Sequence, residues 1–214
     1  GESVLAHICP HGFRHNEQSV RVVEVLEALN LTWEVRDGIR GHSHGLSAHT
    51  QEGQAVRYAD KIAYMNHDID DAIRAGVLQD DDIPWRIRRD LGRTKSERIT
   101  ALITALVEHS GEEIRMDNKH EALYDELRSF MFEAVYTNPE AKGEEQKAKE
   151  VVRQLYEYFL AHEGELPEEY RAIAAHEDAH RAVCDYISGM TDRYSIALYQ
   201  KLFVPRSWSI GGCT

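Results

Sequence analysis

The apolar residues of this chain recur mostly three or four positions apart, which is the spacing of a helix with one buried face. The longest such segment runs from about Glu52 to Ala75, and Gly76 is placed to end it. Alternation of apolar and polar residues, the period of a strand, never extends beyond a few positions. The pattern therefore predicts an all-α protein.

Capping residues and helix breakers divide the rest of the chain. Thr94-Lys95-Ser96-Glu97 has the capping-box form, and residues 79–92 are interpreted as a connector. Other helices are predicted from Asn16 to about Leu29, from Thr32 to Ile39, after Thr94, and over 118–136, 143–162, 168–175 and 177–203. Asn138-Pro139 is interpreted either as a boundary between a core at 1–138 and a helical subregion packed on it at 139–214, or as a turn between two helices.

The composition of the chain argues against several functional classes of protein. The 25 Lys and Arg residues against 37 Asp and Glu give a formal charge of −12, which speaks against direct binding to nucleic acid. No apolar run reaches the ~20 residues needed to cross a bilayer. Cys9, Cys184 and Cys213 form no C-x-x-C pair. We expect a cytoplasmic protein with no membrane partner.

One helix face carries the strongest chemical signal. At 100° per residue, seven polar residues of the long helix fall within an arc of roughly 120°: Arg57, Asp60, Lys61, Tyr64, His67, Asp68 and Asp71. A solvated face with local ion pairs is one interpretation. The mixture of Asp, Tyr and His favours the other, in which Asp60 is a metal ligand with Tyr64 and Asp68 one and two turns further along.

Three segments make the chain resemble the dGTPase-like deoxynucleoside triphosphate (dNTP) triphosphohydrolases of the HD superfamily. The resemblance runs in the same order over nearly the whole chain. The segments are residues 52–72 with Asp60-Lys61-Ile62-Ala63-Tyr64, residues 12–19 with His15-Asn16-Glu17-Gln18, and residues 181–194 with Asp185-Tyr186-Ile187-Ser188-Gly189-Met190-Thr191-Asp192.

The resemblance implies a helical, HD-domain-like bundle that forms homo-oligomers and cleaves a dNTP into deoxynucleoside and triphosphate. It implies a divalent metal cofactor, Mn²⁺ or Mg²⁺, with other transition metals as alternatives. By the resemblance, Asp60 is a metal ligand, Lys61 lies near the phosphates, and Tyr64 and Asp68 contact the deoxyribose. His15 and Asn16 lie beside the substrate, and Glu2 is the partner of a catalytic histidine. The block 181–194 is interpreted mainly as packing or a subunit contact.

The family's metal site has the form H…HD…D, and only its last Asp matches a residue here, Asp60. The other three ligands and the catalytic His are expected before Gly1. We therefore expect the chain to be the C-terminal part of a longer enzyme and to be inactive alone. The alternative is a non-catalytic helical module for oligomerisation or regulation.

Two histidine clusters suggest competing chemistry. His176-Glu177-Asp178-Ala179-His180 satisfies H-E-x-x-H, the zinc-peptidase helix motif, although no third ligand follows at the expected spacing. His42, His44 and His49 lie in a Gly- and Ser-containing loop before the Asp60 helix. This loop is either flexible with exposed histidines or a border of the active site, with His42 nearest to it.

Overall fold

A computed structural model describes residues 1–43 and 45–205, except for the side chains of 139–141. Within these ranges the chain forms eleven α-helices and no strand, which confirms the all-α prediction and is consistent with an HD-like bundle. No helix in these ranges is both long enough and apolar enough to span a membrane.

The chain divides into two compact units. The terminal unit consists of Gly1–Gln18 and the chain from Glu144 onward, and the central unit is Ser19–Gly143. The predicted boundary near residue 138 is close to the division at 143, but the first 18 residues group with the C-terminal part of the chain. The assignment of 1–138 as an enzyme core with a subregion packed on it stays a prediction.

The terminal unit is built from helices that share one apolar core. Its helices are α1 (Glu2–Ile8), the start of α2 (His15–Arg21), most of α8 (Pro139–Ala161), α9 (Glu168–His176), α10 (Ala179–Ser188) and α11 (Asp192–Phe203). Leu5 and Cys9 at the start of the chain pack with Leu155, Phe159 and Val183 from later helices. This shared core explains why the first residues belong to this unit.

The central unit is organised around one long helix. Its elements are the end of α2, a π-helical turn (Val22–Leu26), α3 (Trp33–Gly41), α4 (Gln51–Arg74), a 3₁₀ turn (Asp80–Asp82), α5 (Trp85–Asp90), α6 (Lys95–His109), α7 (Asn118–Met131) and a second π-helical turn (Phe132–Tyr136). Ile62 and Ile69 of α4 pack with Leu102 of α6 and with Leu123 and Leu127 of α7. The apolar side of α4 is therefore a core face.

A close approach of α3 and α4 requires glycine. A Cβ added at Gly53 would lie 2.5 Å from the Cβ of Ala48 and 3.1 Å from the Cα of Gly38. The first distance is too short for two carbon atoms and the second is tight, so a side chain at position 53 would force Ala48 or the start of α4 to shift. The first turns of α4 can therefore pack this closely only because residue 53 is a glycine.

The sequence predicted two helix ends correctly and the helices of two segments wrongly. Gly76 adopts a φ of 73° after α4, and the Thr94–Glu97 capping box forms as expected. The predicted helix over 177–203 is wrong, because it is two helices separated at Gly189-Met190-Thr191, where Thr191 caps α11. The predicted connector at 79–92 is also wrong, since it contains the 3₁₀ turn and α5.

Candidate functional site

The polar face of α4 is held in place by the core on its other side. Thr50 caps the helix by accepting a hydrogen bond from the Gly53 N–H. Ile62, Met65 and Ile69 are buried in the central core, and Tyr64 and His67, which lie between them in sequence, are exposed on the other side of the helix. Tyr64 is 65% exposed, whereas Asp68 is partly buried.

Asp68 has a partner that the sequence did not indicate. The Tyr136 hydroxyl, in the π-helical turn after α7, donates a hydrogen bond to the Asp68 carboxylate. Burial, followed by this hydrogen bond, raises the pKa of Tyr136 well above its usual value, so the hydroxyl stays protonated and acts as a donor. One oxygen of Asp68 is thereby fixed in position, and the other is left for a second hydrogen bond.

Lys61 lies on the same face, among side chains of both charges: Arg57, Arg128, Asp125 and Glu121. Its amine is 5.8 Å from the centre of the Tyr58 ring, and its main-chain carbonyl accepts a 3.2 Å hydrogen bond from the Tyr124 hydroxyl. Burial, together with the nearby Arg57 and Arg128 cations, lowers the pKa of Lys61. An anion at this place would offset that repulsion.

Asp60 is a partly buried carboxylate that makes no hydrogen bond or ion pair with any residue in the described ranges. Such a carboxylate fits one ligand position of a divalent cation. No group of three or more His, Cys, Asp or Glu in the described ranges could hold a metal. Asp60 is thus suited to contribute one ligand, while these residues alone do not form a complete site.

The remaining polar residues of α4, His67 and Asp71, make the surface contacts expected of a solvated helix face. Asp71 forms an exposed ion pair with Arg74 at 2.9 Å. Lys95 of α6 contacts both Asp70 at 2.8 Å and the Nδ1 of His67 at 3.2 Å. His67 and Asp71 are therefore engaged in surface contacts and are separate from the Asp68–Tyr136 pair.

In the terminal unit, the structure brings two predicted site residues together. The Glu2 carboxylate accepts a hydrogen bond from the His15 main-chain N–H at 3.0 Å and another from His15 Nδ1 at 2.9 Å. Burial opposes ionisation of Glu2, but these hydrogen bonds outweigh it and lower its pKa. Asn16, the next residue, is 5% exposed. The pair holds the start of α1 against the start of α2.

The neighbouring Gln18 has a structural contact in the same unit. Its side-chain amide donates a 2.7 Å hydrogen bond to the buried carboxylate of Asp185 in α10. Asp185 is fully buried, so this contact satisfies a carboxylate that would otherwise be costly to bury. The contact agrees with the interpretation of the 181–194 block as packing.

The zinc-peptidase alternative is wrong on geometry. The motif requires both histidines on one face of a continuous helix, but α9 ends at His176 and Asp178 caps the start of α10. The two histidines therefore belong to different helices. His180 instead contacts the Tyr156 hydroxyl through Nδ1 at 3.0 Å.

Two of the three loop histidines have local roles. His42 Nδ1 donates to the carbonyl of Ile39 at 2.6 Å. The main-chain N–H of His49 and its Nδ1 both donate to the Asp37 carboxylate, at 2.6 and 2.9 Å. These contacts close the loop between α3 and α4. His44 lies outside the described residues.

The chain is similar to known phosphohydrolases. Residues 114–201 match the phosphohydrolase-associated domain. The chain is 47% identical over 215 residues to the deoxyguanosinetriphosphate triphosphohydrolase-like protein of Caldanaerobacter subterraneus, with 97% of this chain and 63% of that protein covered. The protein of that name from Clostridium tetani is 43% identical, with 96% and 64% covered. The one from Geobacter metallireducens is 32% identical, with 96% and 69% covered.

The helical fold and the matched domain define the class as an HD-type phosphohydrolase. Within that class, the chain belongs to the deoxyguanosinetriphosphate triphosphohydrolase-like family. It spans less than two thirds of the length of the first two relatives named above.

Proposed function

We propose that this chain contributes substrate-binding residues to a metal-dependent hydrolase that splits a dNTP into deoxynucleoside and triphosphate. The observation that supports this most is the Asp68–Tyr136 pair on the α4 face that also carries Asp60, Lys61 and Tyr64. The relatives are named after the hydrolysis of a deoxynucleoside triphosphate, deoxyguanosine triphosphate. A carboxylate, a tyrosine and a lysine on one face match the chemistry of a sugar hydroxyl next to phosphates.

Asp68 is proposed to recognise the 3′-hydroxyl of the deoxyribose. The Tyr136 hydroxyl donates to the carboxylate and so keeps it in one orientation. A substrate hydroxyl would donate to the remaining carboxylate oxygen, and a substrate lacking that hydroxyl would leave the oxygen unpaired. Tyr64, one turn before Asp68, is proposed to pack against the sugar.

Lys61 is proposed to bind the phosphates. Burial and the nearby Arg57 and Arg128 lower the pKa of its amine, so a bound polyanion stabilises the charged form of the lysine. Asp60 would hold a divalent ion such as Mn²⁺ or Mg²⁺ as one ligand among several. When bound, such an ion supplies Lewis-acid activation of a phosphoryl oxygen and of the attacking water.

For the terminal unit, we propose that Glu2 and His15 act as a hydrogen-bonded pair beside the substrate, with Asn16 next to them. Two hydrogen bonds from His15 hold Glu2 in its ionised form. An ionised carboxylate that accepts a hydrogen bond from an imidazole N–H fixes the tautomer and the orientation of the ring. The proposed role of the pair is therefore to hold Glu2 ionised and in place as the partner of the catalytic histidine of the complete enzyme.

The experiment that tests the proposal measures triphosphate release from each dNTP with Mn²⁺. It compares the 214-residue chain with a chain extended upstream through the family's His…His-Asp segment. We expect activity in the extended chain and none in the shorter one. Turnover by the shorter chain would contradict the dependence on that segment, and turnover by neither would contradict the hydrolase proposal.

Two matched variants of the active chain test the sugar assignment. Asp68→Asn is expected to raise the KM for dGTP by about 10- to 100-fold, because a hydrogen bond to a charged group contributes about 1.5–3 kcal/mol. It should have little effect on 2′,3′-dideoxy-GTP, which lacks the 3′-hydroxyl. Asp71→Asn, on the same helix but paired with Arg74 at the surface, is the control and should change neither KM.

A second candidate function, a non-catalytic association module, has one supporting observation. A cavity of about 780 Å³ in the central unit lies among Val22, Val23, Val35, Ile39 and Val56, and its lining is mainly apolar. Val35 and Val56 are about half exposed. We propose on this ground that the chain also forms homo-oligomers. Light scattering that shows a monomer at all concentrations, for the shorter and the extended chain, would refute this.

A further inference from the structure

A second cavity of the central unit is lined by charged side chains, none of which is among the residues proposed to bind the substrate or the metal. Its volume is about 440 Å³. Four basic residues line it, Arg88 of α5, Arg93 of the α5–α6 turn, and Lys95 and Arg98 of α6. Three aspartates and Thr94 complete the lining, so cations outnumber carboxylates in a chain whose overall charge is −12.

Arg98 is a buried cation with no carboxylate at ion-pair distance, although Asp70, Asp80 and Glu97 lie near enough to act on its charge. Its side chain is 1% exposed. Its Nε donates to the side-chain oxygen of Asn66 at 2.9 Å, and its Nη1 donates to the Arg93 carbonyl at 3.0 Å. In the described ranges, no carboxylate forms an ion pair with it and Nη2 makes no hydrogen bond. Buried charges are normally paired, so this guanidinium can accommodate an anion.

The other three cations differ in how far they are neutralised. Arg88 pairs with Asp81, but its buried Nε has no acceptor in the described ranges. Lys95 pairs with Asp70 at 2.8 Å. Arg93 forms no ion pair with the described residues. Glu97 accepts hydrogen bonds from the main-chain N–H groups of Arg93 and Thr94, and it acts on the Arg93 guanidinium by charge without a hydrogen bond to it.

We propose that this cavity binds the phosphate groups of a small ligand. Guanidinium groups match phosphate oxygens in geometry and charge, and Arg93 and Arg98 provide two that form no ion pair with a carboxylate of the described residues. A volume of about 440 Å³ exceeds that of a single phosphate. None of the residues proposed to bind the dNTP substrate lines the cavity, so the site is separate from the proposed active site.

The test is calorimetric titration of the purified protein with inorganic phosphate, with tripolyphosphate and with dGTP, all without divalent metal. These titrations are made on Lys61→Ala, in which the proposed substrate-phosphate contact is removed. Binding that persists in Lys61→Ala supports a second site. Loss of all phosphate binding in Lys61→Ala would overturn this proposal and would leave the proposed function intact.

Arg93→Ala in the Lys61→Ala background identifies the site. We expect the affinity for tripolyphosphate to fall at least tenfold, and Arg93→Lys to recover part of it because the charge returns. Arg74→Ala is the control, since Arg74 is an exposed arginine of the same unit whose side chain is 76% exposed and lies outside the cavity. Equal affinity in Arg93→Ala and Arg74→Ala would show that the cluster is only an ion-pair network.

The three probes separate the ligand sources. Affinity for dGTP above that for tripolyphosphate would indicate a nucleotide whose base or sugar also contacts the cavity. Equal affinities would indicate recognition of the phosphate chain alone, and the tightest binding to inorganic phosphate would indicate the free ion. Each of these outcomes supports the site, whereas no binding of any probe overturns it.

Discussion

The contact between Asn66 and Arg98 offers a sharp test of how α4 is fixed to α6. Asn66 is 0% exposed and accepts a hydrogen bond from Arg98 Nε at 2.9 Å. Its own amide donates to the Ile62 carbonyl at 2.8 Å, one turn back on α4. The substitution Asn66→Leu keeps the branched shape of the side chain and removes both interactions, which leaves a buried guanidinium N–H without an acceptor.

The expected cost follows from the burial of the donor. An unsatisfied buried donor costs about 1–3 kcal/mol, with the upper part of the range for a charged group. The added apolar surface of leucine returns about 1 kcal/mol. We therefore expect the free energy of unfolding to fall by about 2 kcal/mol. With a urea m-value of about 2 kcal/mol/M, the midpoint should move down by about 1 M.

Urea unfolding followed by far-UV circular dichroism measures this change. Asn118→Leu, at the exposed first position of α7, is the matched control and is expected to stay within about 0.5 kcal/mol of the unsubstituted chain. A double-mutant cycle with Arg98→Met isolates the pair, and the double variant should be more stable than the two single effects predict by roughly 1–2 kcal/mol. Additive effects, or a midpoint shift below about 0.25 M, would refute the role assigned to this hydrogen bond.

Three further predictions test other contacts. Tyr136→Phe in the active, extended chain should raise the KM for dGTP more than for its 2′,3′-dideoxy analogue, measured by steady-state kinetics, because Asp68 loses the donor that orients it. Thr94→Ala should cost about 1 kcal/mol in urea unfolding through loss of the α6 cap, whereas Thr104→Ala, exposed on the same helix, should not destabilise. A hydrogen bond from a neighbouring histidine lowers the pKa of Asp117 from 3.8 to about 2. Its contribution to stability is therefore complete above about pH 4 and disappears as the pH falls towards 2, and Asp117→Asn should flatten stability measured across that window.

The parts of the fold that the sequence predicts are those encoded within one or two helical turns. The capping box at Thr94 and Glu97 needs only four adjacent residues, and both of its hydrogen bonds form. Gly76 ends α4 because it adopts a positive φ that other residues avoid. The break at 189–191 also had local signals, a glycine and the capping Thr191. The helical spacing of apolar residues continues across residues 189–191, and for this reason the pattern predicted one helix where there are two.

The parts that could not be predicted depend on contacts between distant segments. The Tyr136 hydroxyl meets Asp68 across 68 positions of sequence, and Arg98 meets Asn66 across 32. Periodicity assigns Tyr136 to a helix but does not say which side chain lies beside it. The H-E-x-x-H motif failed for the opposite reason, since its spacing was read as helical while Asp178 acts as a cap inside it.

Charge at the level of the whole chain and charge at a binding site are separate quantities. A net charge of −12 disfavours a long phosphate polymer, because many contacts along the polymer would each meet an acidic surface. A small phosphate ligand meets only the few groups within about one Debye length, ~8 Å at physiological salt. Lys61 with Arg57 and Arg128 makes three cations, against the nearby Asp125 and Glu121, and the 440 Å³ cavity has more cations than carboxylates. Local excess of positive charge therefore permits phosphate chemistry in an acidic chain, and composition excludes the polymer without excluding the nucleotide.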